Sequence, residues 1–112
     1  MYSEERPWGK FFILQEESNY KVKCIEINPG GSLSLQYHNF RYEDWIVVEG
    51  SGIVFNGDET KECMVGDRFH IEPTKVHRAI GGPCGLKFIE VQRGSCDEDD
   101  IVRLEDNYGR VA

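Results

Sequence analysis

Leu33-Ser34-Leu35-Gln36-Tyr37-His38-Asn39-Phe40-Arg41-Tyr42-Glu43-Asp44-Trp45 is the stretch on which the fold turns. Leu33 to Tyr37 reads as a β-strand, and a second run starts at Trp45 and reaches Val48. Side chains on a strand alternate between its faces, so Gln36 and His38, two apart, leave the same face. Upstream, Phe11-Phe12-Ile13-Leu14 is a first apolar run. Tyr20 to Ile27 then alternates, with Val22, Cys24 and Glu26 on one face and Lys23, Ile25 and Ile27 on the other. Asn28-Pro29-Gly30-Gly31 breaks the chain, because proline removes a ladder donor and glycine permits positive φ. Downstream, Gly52 to Phe55, Arg68 to Ile71, His77 to Ile80 and Leu86 to Gln92 read as further strands. Glu49-Gly50-Ser51-Gly52 and Asn56-Gly57-Asp58 are hairpin signals, and Gly81-Gly82-Pro83 separates the last two strands. Short β-runs with almost no helical periodicity, about eight or nine in all, predict a sandwich or barrel. Closing such a sheet hides its edges and leaves room at one end for a ligand.

The chain of 112 residues fits one domain, 1–112, with 39% hydrophobic and 29% charged residues as in an ordinary soluble protein. Twenty acidic against 13 basic residues give a net charge of −7 with no Lys/Arg stripe, which argues against a nucleic-acid partner. A phosphate ligand remains compatible, since a few cations inside a cleft outweigh screened surface carboxylates. No apolar run approaches the ~20 residues that span a bilayer. Cys24, Cys63, Cys84 and Cys96 form no CxxC pair, and no secretory signal opens the chain, so reduced thiols in a cytoplasmic protein are expected. The acidic run Asp97-Glu98-Asp99-Asp100 is most simply a solvated helix start, where carboxylates favour the dipole.

The spacing of the polar residues carries a resemblance. Gly30, Gln36, His38, Glu43 and Gly50 stand at the intervals of the first cupin motif, and His77, eleven residues after Gly66, matches the second. The chain thus resembles a cupin, which implies an all-β, single-domain double-stranded β-helix or jelly-roll barrel. Glu43 would return on a neighbouring strand and His77 come from a third, so that Gln36, His38, Glu43 and His77 converge in the barrel mouth. Gln36 stands where most cupins have their first histidine. Two imidazoles, a carboxylate and an amide oxygen suit one divalent ion, zinc first, with manganese, iron, nickel or cobalt as alternatives. The competing reading is that the four residues form a metal-free polar network.

A closer resemblance covers nearly the whole chain. Arg6-Pro7-Trp8-Gly9, Tyr20-Lys21-Val22-Lys23 with Ile25, and Pro29-Gly30 are similar to the entry and first strands of the type II mannose-6-phosphate isomerase C-terminal domain. So are the quoted Leu33 to Trp45 stretch and His77-Arg78. The tail matches as well: Glu90, Gln92 and Gly94, then Glu98 to Arg103, Glu105-Asp106 and Tyr108-Gly109-Arg110. Gln36 is that family's own habit. Tyr42, His70-Ile71-Glu72 and Gly81 depart from the family pattern, and the segment between Gly94 and Glu98 is one residue short; these changes are expected to border the substrate pocket. In the family this domain often follows a transferase that makes GDP-mannose, but no Gly-rich nucleotide loop stands in this sequence, so guanylyltransferase activity is not expected of it.

The resemblance implies a metal-dependent isomerase interconverting mannose 6-phosphate and fructose 6-phosphate through an enediolate. Arg41, in the family's RxExW segment, would be the catalytic cation, its guanidinium clamping a phosphate or the enediolate. Lys23 and Arg78 are further candidates to bind substrate phosphate. Glu26, His70, Glu72 and Glu90 are all candidates for the base, and Trp8, Trp45 and Tyr37 for stacking on a sugar. Two other readings stay open: a non-catalytic cupin that binds a sugar or nucleotide-sugar, and an iron-dependent oxygenase-like cupin. The family also implies a homodimer.

Overall fold

Residues at alternate positions of β3 (Tyr20–Ile27) set the pattern for the whole interior. Lys21, Lys23, Ile25 and Ile27 are buried and the residues between them only partly so. The computed structural model describes residues 2–110, and within them the chain forms nine strands and no helix. The others are β1 (Tyr2–Arg6), β2 (Gly9–Glu16), β4 (Leu35–Tyr37), β5 (Arg41–Asn56), β6 (Glu59–Met64), β7 (Arg68–Ile71), β8 (His77–Gly94) and β9 (Val102–Glu105). All pairings are antiparallel, in the order β1-β2-β3-β8-β4-β9, with β5 pairing β6, β7 and β8. The four cysteines are free.

β5 and β8 curl this sheet on itself. Arg41 to Gly50 of β5 pairs with the second half of β8, and Gly52 to Asn56 pairs with its first half, with a register shift between Gly50 and Gly52. Glu49-Gly50-Ser51-Gly52 is therefore a bend inside one strand, where a hairpin is predicted. Gly81-Gly82-Pro83 is likewise the matching bend inside β8, where a break is predicted. Gly50 has φ 78°, and a Cβ added there would stand 2.2 Å from the Gly85 carbonyl oxygen. Glycine lets the two backbones approach where the sheet turns its corner. Gly50→Ala is expected to lower stability by about 3 kcal/mol, from a strained left-handed residue plus the clash with backbone. A chemical-denaturation loss below about 0.5 kcal/mol would show the corner to be soft. The second predicted hairpin is present: Gly57-Asp58 joins β5 to β6, with Asn56 opposite Glu59.

Cross-strand register sorts the interior into rows. Ile25, Phe88 and Val47 sit side by side on β3, β8 and β5, and pack with Trp45, Phe11 and Leu86 in the apolar core. One step along, the row is Lys23–Glu90–Trp45; the next is Lys21–Gln92–Glu43. All six of these side chains are buried. The barrel interior thus changes from apolar to charged along the same three strands. That is the end where a polar site has to be.

Candidate metal centre

At this charged end lies a cavity of about 380 Å³, lined by Gln36, Arg41, Glu43, His77, Glu90 and Lys23 among others. His38, Glu43 and His77 each bring one donor atom within 4.8 Å of the others, and all three are buried. Gln36 is opposite His77 in the β4–β8 pair, so the fourth predicted ligand arrives on the adjacent strand. Its amide nitrogen donates to the Ser34 carbonyl and hydroxyl oxygens at 3.2 and 3.0 Å. That fixes which end of the amide is spent and leaves the oxygen as the free donor. His38, Glu43 and His77 meet, and Gln36 lines the cavity from the strand beside His77.

The protonation states suit a cation. Burial, and then the charges of Arg41 and His77, push His38 down to about 2. Burial lowers His77 too. Both rings are neutral at pH 7, with a lone pair each. His77 donates through Nδ1 to the Lys75 carbonyl oxygen at 2.8 Å, which leaves Nε2 as the donor atom toward Glu43 Oε1, 3.8 Å away. Arg41 Nη2 lies against Nε2 of His38 and can only donate, so that nitrogen carries the lone pair and Arg41 has to give way for an ion to use it. Trp45 Nε1 donates to Glu43 Oε1 at 3.0 Å and holds the carboxylate in place. Ligands oriented by an outer layer of hydrogen bonds are what a bound divalent ion requires. Two neutral imidazoles, a carboxylate and an amide oxygen fit such an ion.

Arg41 is held inside the site. Nε donates to Glu43 Oε2 at 2.8 Å and Nη1 to Gln92 Oε1 at 3.3 Å. Burial works against its charge, but Glu43, Glu90 and Glu98 outweigh it and keep it protonated. Lys23 is also buried at the cavity wall, its Nζ 4.2 Å from the centre of the Phe11 ring and hydrogen-bonded to Glu98. Arg78 is elsewhere. Its guanidinium donates to the Leu33 carbonyl at 3.0 Å and to the side chain and backbone oxygens of Glu105 at 3.1 Å, tying β8 to β9, and it does not line the cavity.

Of the four candidate bases, Glu90 alone lines the cavity. Burial, then the Glu43 charge, raises its carboxyl to about 7. Glu26 points outward toward Lys87, at 3.9 Å. His70 and Glu72 are exposed, and His70 is bonded to Asp44 at 2.7 Å and to Glu72 at 3.1 Å. Tyr42 stacks on His70 on this outer surface, and Gly81 sits at the sheet corner, so these family departures do not border the cavity as expected. Trp8 and Trp45 line the cavity while Tyr37 does not, and Trp45 is stacked on Phe88 with centroids 4.4 Å apart.

The acidic run is not a helix start. Residues 97–100 form a turn in which Asp100 accepts from the backbone N–H groups of Asn39 and Phe40, both at 2.9 Å, and Glu98 reaches the lysines of β3. Arg6, Glu98, Arg103 and Arg110 line the cavity without having been singled out by spacing. The signal available was their position in the motifs that flank the ligand stretch.

A curled antiparallel sheet whose charged end gathers two histidines and a glutamate, with a glutamine on the adjoining strand, defines a cupin. The solved structure of a cupin 2 conserved barrel domain protein from Rhodopseudomonas palustris superposes with a TM-score of 0.72 at 21% identity, covering 81% of this chain and 68% of that one. Residues 2–106 match the family model described as mannose-6-phosphate isomerase C-terminal, and the chain belongs to that family. It is 45% identical over 109 residues to the alginate biosynthesis protein AlgA of Pseudomonas aeruginosa, covering 96% of this chain and 23% of that protein. It is 44% identical over 108 residues to the xanthan biosynthesis protein XanB of Xanthomonas campestris pv. campestris, covering 95% of this chain and 23% of that one. The chain therefore spans about a quarter of the length of these relatives. Among the described residues no helix is long and apolar enough to cross a membrane.

Proposed function

We propose that the cavity is the active site of a metal-dependent sugar-phosphate isomerase that interconverts mannose 6-phosphate and fructose 6-phosphate. The observation that carries this reading is one cavity shared by a metal-ligand set and a separate buried carboxylate of raised pKa. Membership of the family supports the substrate class. The reaction moves a proton between adjacent carbons. Glu90 takes it from the carbon next to the carbonyl and the electron pair passes to the carbonyl oxygen to give an enediolate. The hydroxyl proton then passes from the second oxygen to the first, and Glu90 returns its proton to the former carbonyl carbon as the second oxygen becomes the new carbonyl. A base with a pKa near the working pH gives up and regains a proton with little penalty in either direction. A divalent ion held by Gln36, His38, Glu43 and His77 supplies, when bound, a Lewis acid for the oxygen that becomes negative. Arg41, kept charged and pinned by Glu43 and Gln92, supplies fixed positive charge in the same cavity.

The test is to load the purified protein in turn with zinc, manganese, iron(II), cobalt and nickel, confirm the metal content, and run a coupled assay on mannose 6-phosphate. Turnover with at least one of the ions is expected. A fully loaded protein that turns over with none of them overturns the isomerase reading in favour of a sugar-binding module.

A further inference from the structure

The cavity mouth carries more positive charge than its carboxylates use. Arg6, Lys23, Arg103 and Arg110 all line it. Arg6 is paired with Glu4 at 3.1 Å and Arg110 with Asp106 at 2.9 Å. Arg103, on β9, makes no side-chain hydrogen bond or ion pair among the described residues, and its Nε is buried without a partner. Burial, and then the like charge of Arg110, make its proton easier to lose than that of an ordinary arginine. The carboxylate nearest in influence, Asp106, is already bonded to Arg110, so this guanidinium has no ion-pair partner of its own among the described residues.

Lys23 has one, of an unusual kind. Its side chain is 5% exposed, and the carboxylate it bonds belongs to Glu98, whose side chain is 51% exposed. Lys21, 6% exposed, donates to the same Glu98 oxygen at 3.2 Å. The loop is pinned on both sides of Glu98: Ser95 N donates to the Phe40 carbonyl at 3.2 Å, and Asp100 accepts from Asn39 and Phe40. Between those anchors the Glu98 carboxylate rests on the two lysines. It can rotate out to water while the loop stays attached.

We propose that Lys23 and Arg103 form an anion subsite for the phosphate of the incoming sugar phosphate, and that Glu98 is an internal carboxylate which occupies the Lys23 side of it until phosphate displaces it. The sugar-phosphate class rests on the isomerase reading above; the exchange of anions does not. A buried ammonium without a counter-charge is costly, so an empty subsite needs a placeholder. Phosphate is the stronger occupant, with more charge and three acceptor oxygens, enough to engage both Lys23 and the free fork of Arg103. Glu98 regains its hydration on leaving, so the exchange costs little. With phosphate bound, both Lys23 and Arg103 face a counter-charge, whereas Glu98 compensates only Lys23 of the two.

Calorimetric titration of the full chain with inorganic phosphate tests this. Glu98→Gln is expected to tighten phosphate binding about threefold to fivefold, the scale of a part-exposed ion pair. Arg103→Met is expected to weaken it at least about tenfold, the scale of a lost charge-assisted hydrogen bond. Lys23→Met should weaken it as much; if that variant does not fold, Lys23→Arg, which keeps the charge, should bind phosphate within about threefold of wild type. Glu98→Gln binding no tighter, or Arg103→Met binding as wild type does, overturns the proposal. Phosphate held on a metal ion alone would show the second of these results. Binding in the expected pattern by a protein without turnover leaves the subsite standing and removes the isomerase reading. Turnover with phosphate affinity unchanged in both variants does the reverse.

Discussion

Replacing His77 by alanine should empty the metal centre. His77 is 1% exposed and offers Nε2 to the same point as Glu43 and His38. Even outer-layer partners of a metal ligand change affinity by about 10- to 100-fold, so loss of a ligand itself should exceed about a hundredfold. Turnover should fall with it, by about a thousandfold or more, since the remaining groups lack the Lewis acid. The variant also loses the 2.8 Å bond to the carbonyl of Lys75, an exposed residue, which costs about 0.5–1.5 kcal/mol of stability, the net of an ordinary hydrogen bond. The measurement is therefore metal content by elemental analysis and affinity by chelator competition, at a temperature where circular dichroism shows the variant folded. One tightly held equivalent of metal in His77→Ala would place the centre elsewhere.

Glu90→Gln should separate chemistry from metal binding. The carboxylate lies in the cavity but outside the ligand set, so metal content should be unchanged while kcat falls by about a thousandfold, within the range for a lost general base. In the metal-loaded wild type kcat/KM should rise with pH as Glu90 ionises, at a lower pH than in the metal-free protein because the ion offsets the Glu43 charge, and this limb should vanish in the variant. Stability gives an independent readout in the metal-free protein. Burial raises the folded pKa from 4.5 to about 7, so the folded state holds its proton more tightly than the unfolded chain does. Stability from this group is complete below about 4.5 and declines as pH rises to about 7, by about 3 kcal/mol at roughly 1.4 kcal/mol per unit. Glu90→Gln has no proton to lose, so its melting temperature should overtake that of wild type between pH 6 and 8. Activity within tenfold of wild type would remove Glu90 as the base.

The ligand set was legible because it obeys strand geometry. Gln36 and His38 are two apart; the His38 side chain meets those of Glu43 and His77, and Gln36 stands opposite His77 in the pairing of β4 with β8. The two faces of β3 were equally legible from alternation, and the one with Lys23, Ile25 and Ile27 is the buried one. Chain direction at glycines was not. Gly50 and Gly82-Pro83 look like turns locally, and only the partner strand shows that they are corners of continuous strands. β1 and β6 escaped because edge strands need no buried face: five of the six residues of β6 are exposed. Charges were the least legible. Whether Arg78, Arg103 or Lys23 faces a cavity, a carboxylate or water depends on residues 25 to 75 positions away in sequence, such as Glu105 for Arg78 and Glu98 for Lys23. The run from Asp97 to Asp100 has the composition of a helix start, and its carboxylates are instead spent on Asn39, Phe40 and the lysines of β3.

The β5–β8 ladder also fixes when the molecule can assemble. Asn56 is opposite His77 and Arg41 is opposite Gly94, so a strand complete early in synthesis waits for one that leaves the ribosome much later. Until then Trp45-Ile46-Val47-Val48 has no permanent neighbour on that side. Closing such distant contacts carries a large loop-entropy barrier, which places the chain with slow folders, on a scale of milliseconds to seconds rather than microseconds. During that interval this apolar run is open to association with other nascent chains.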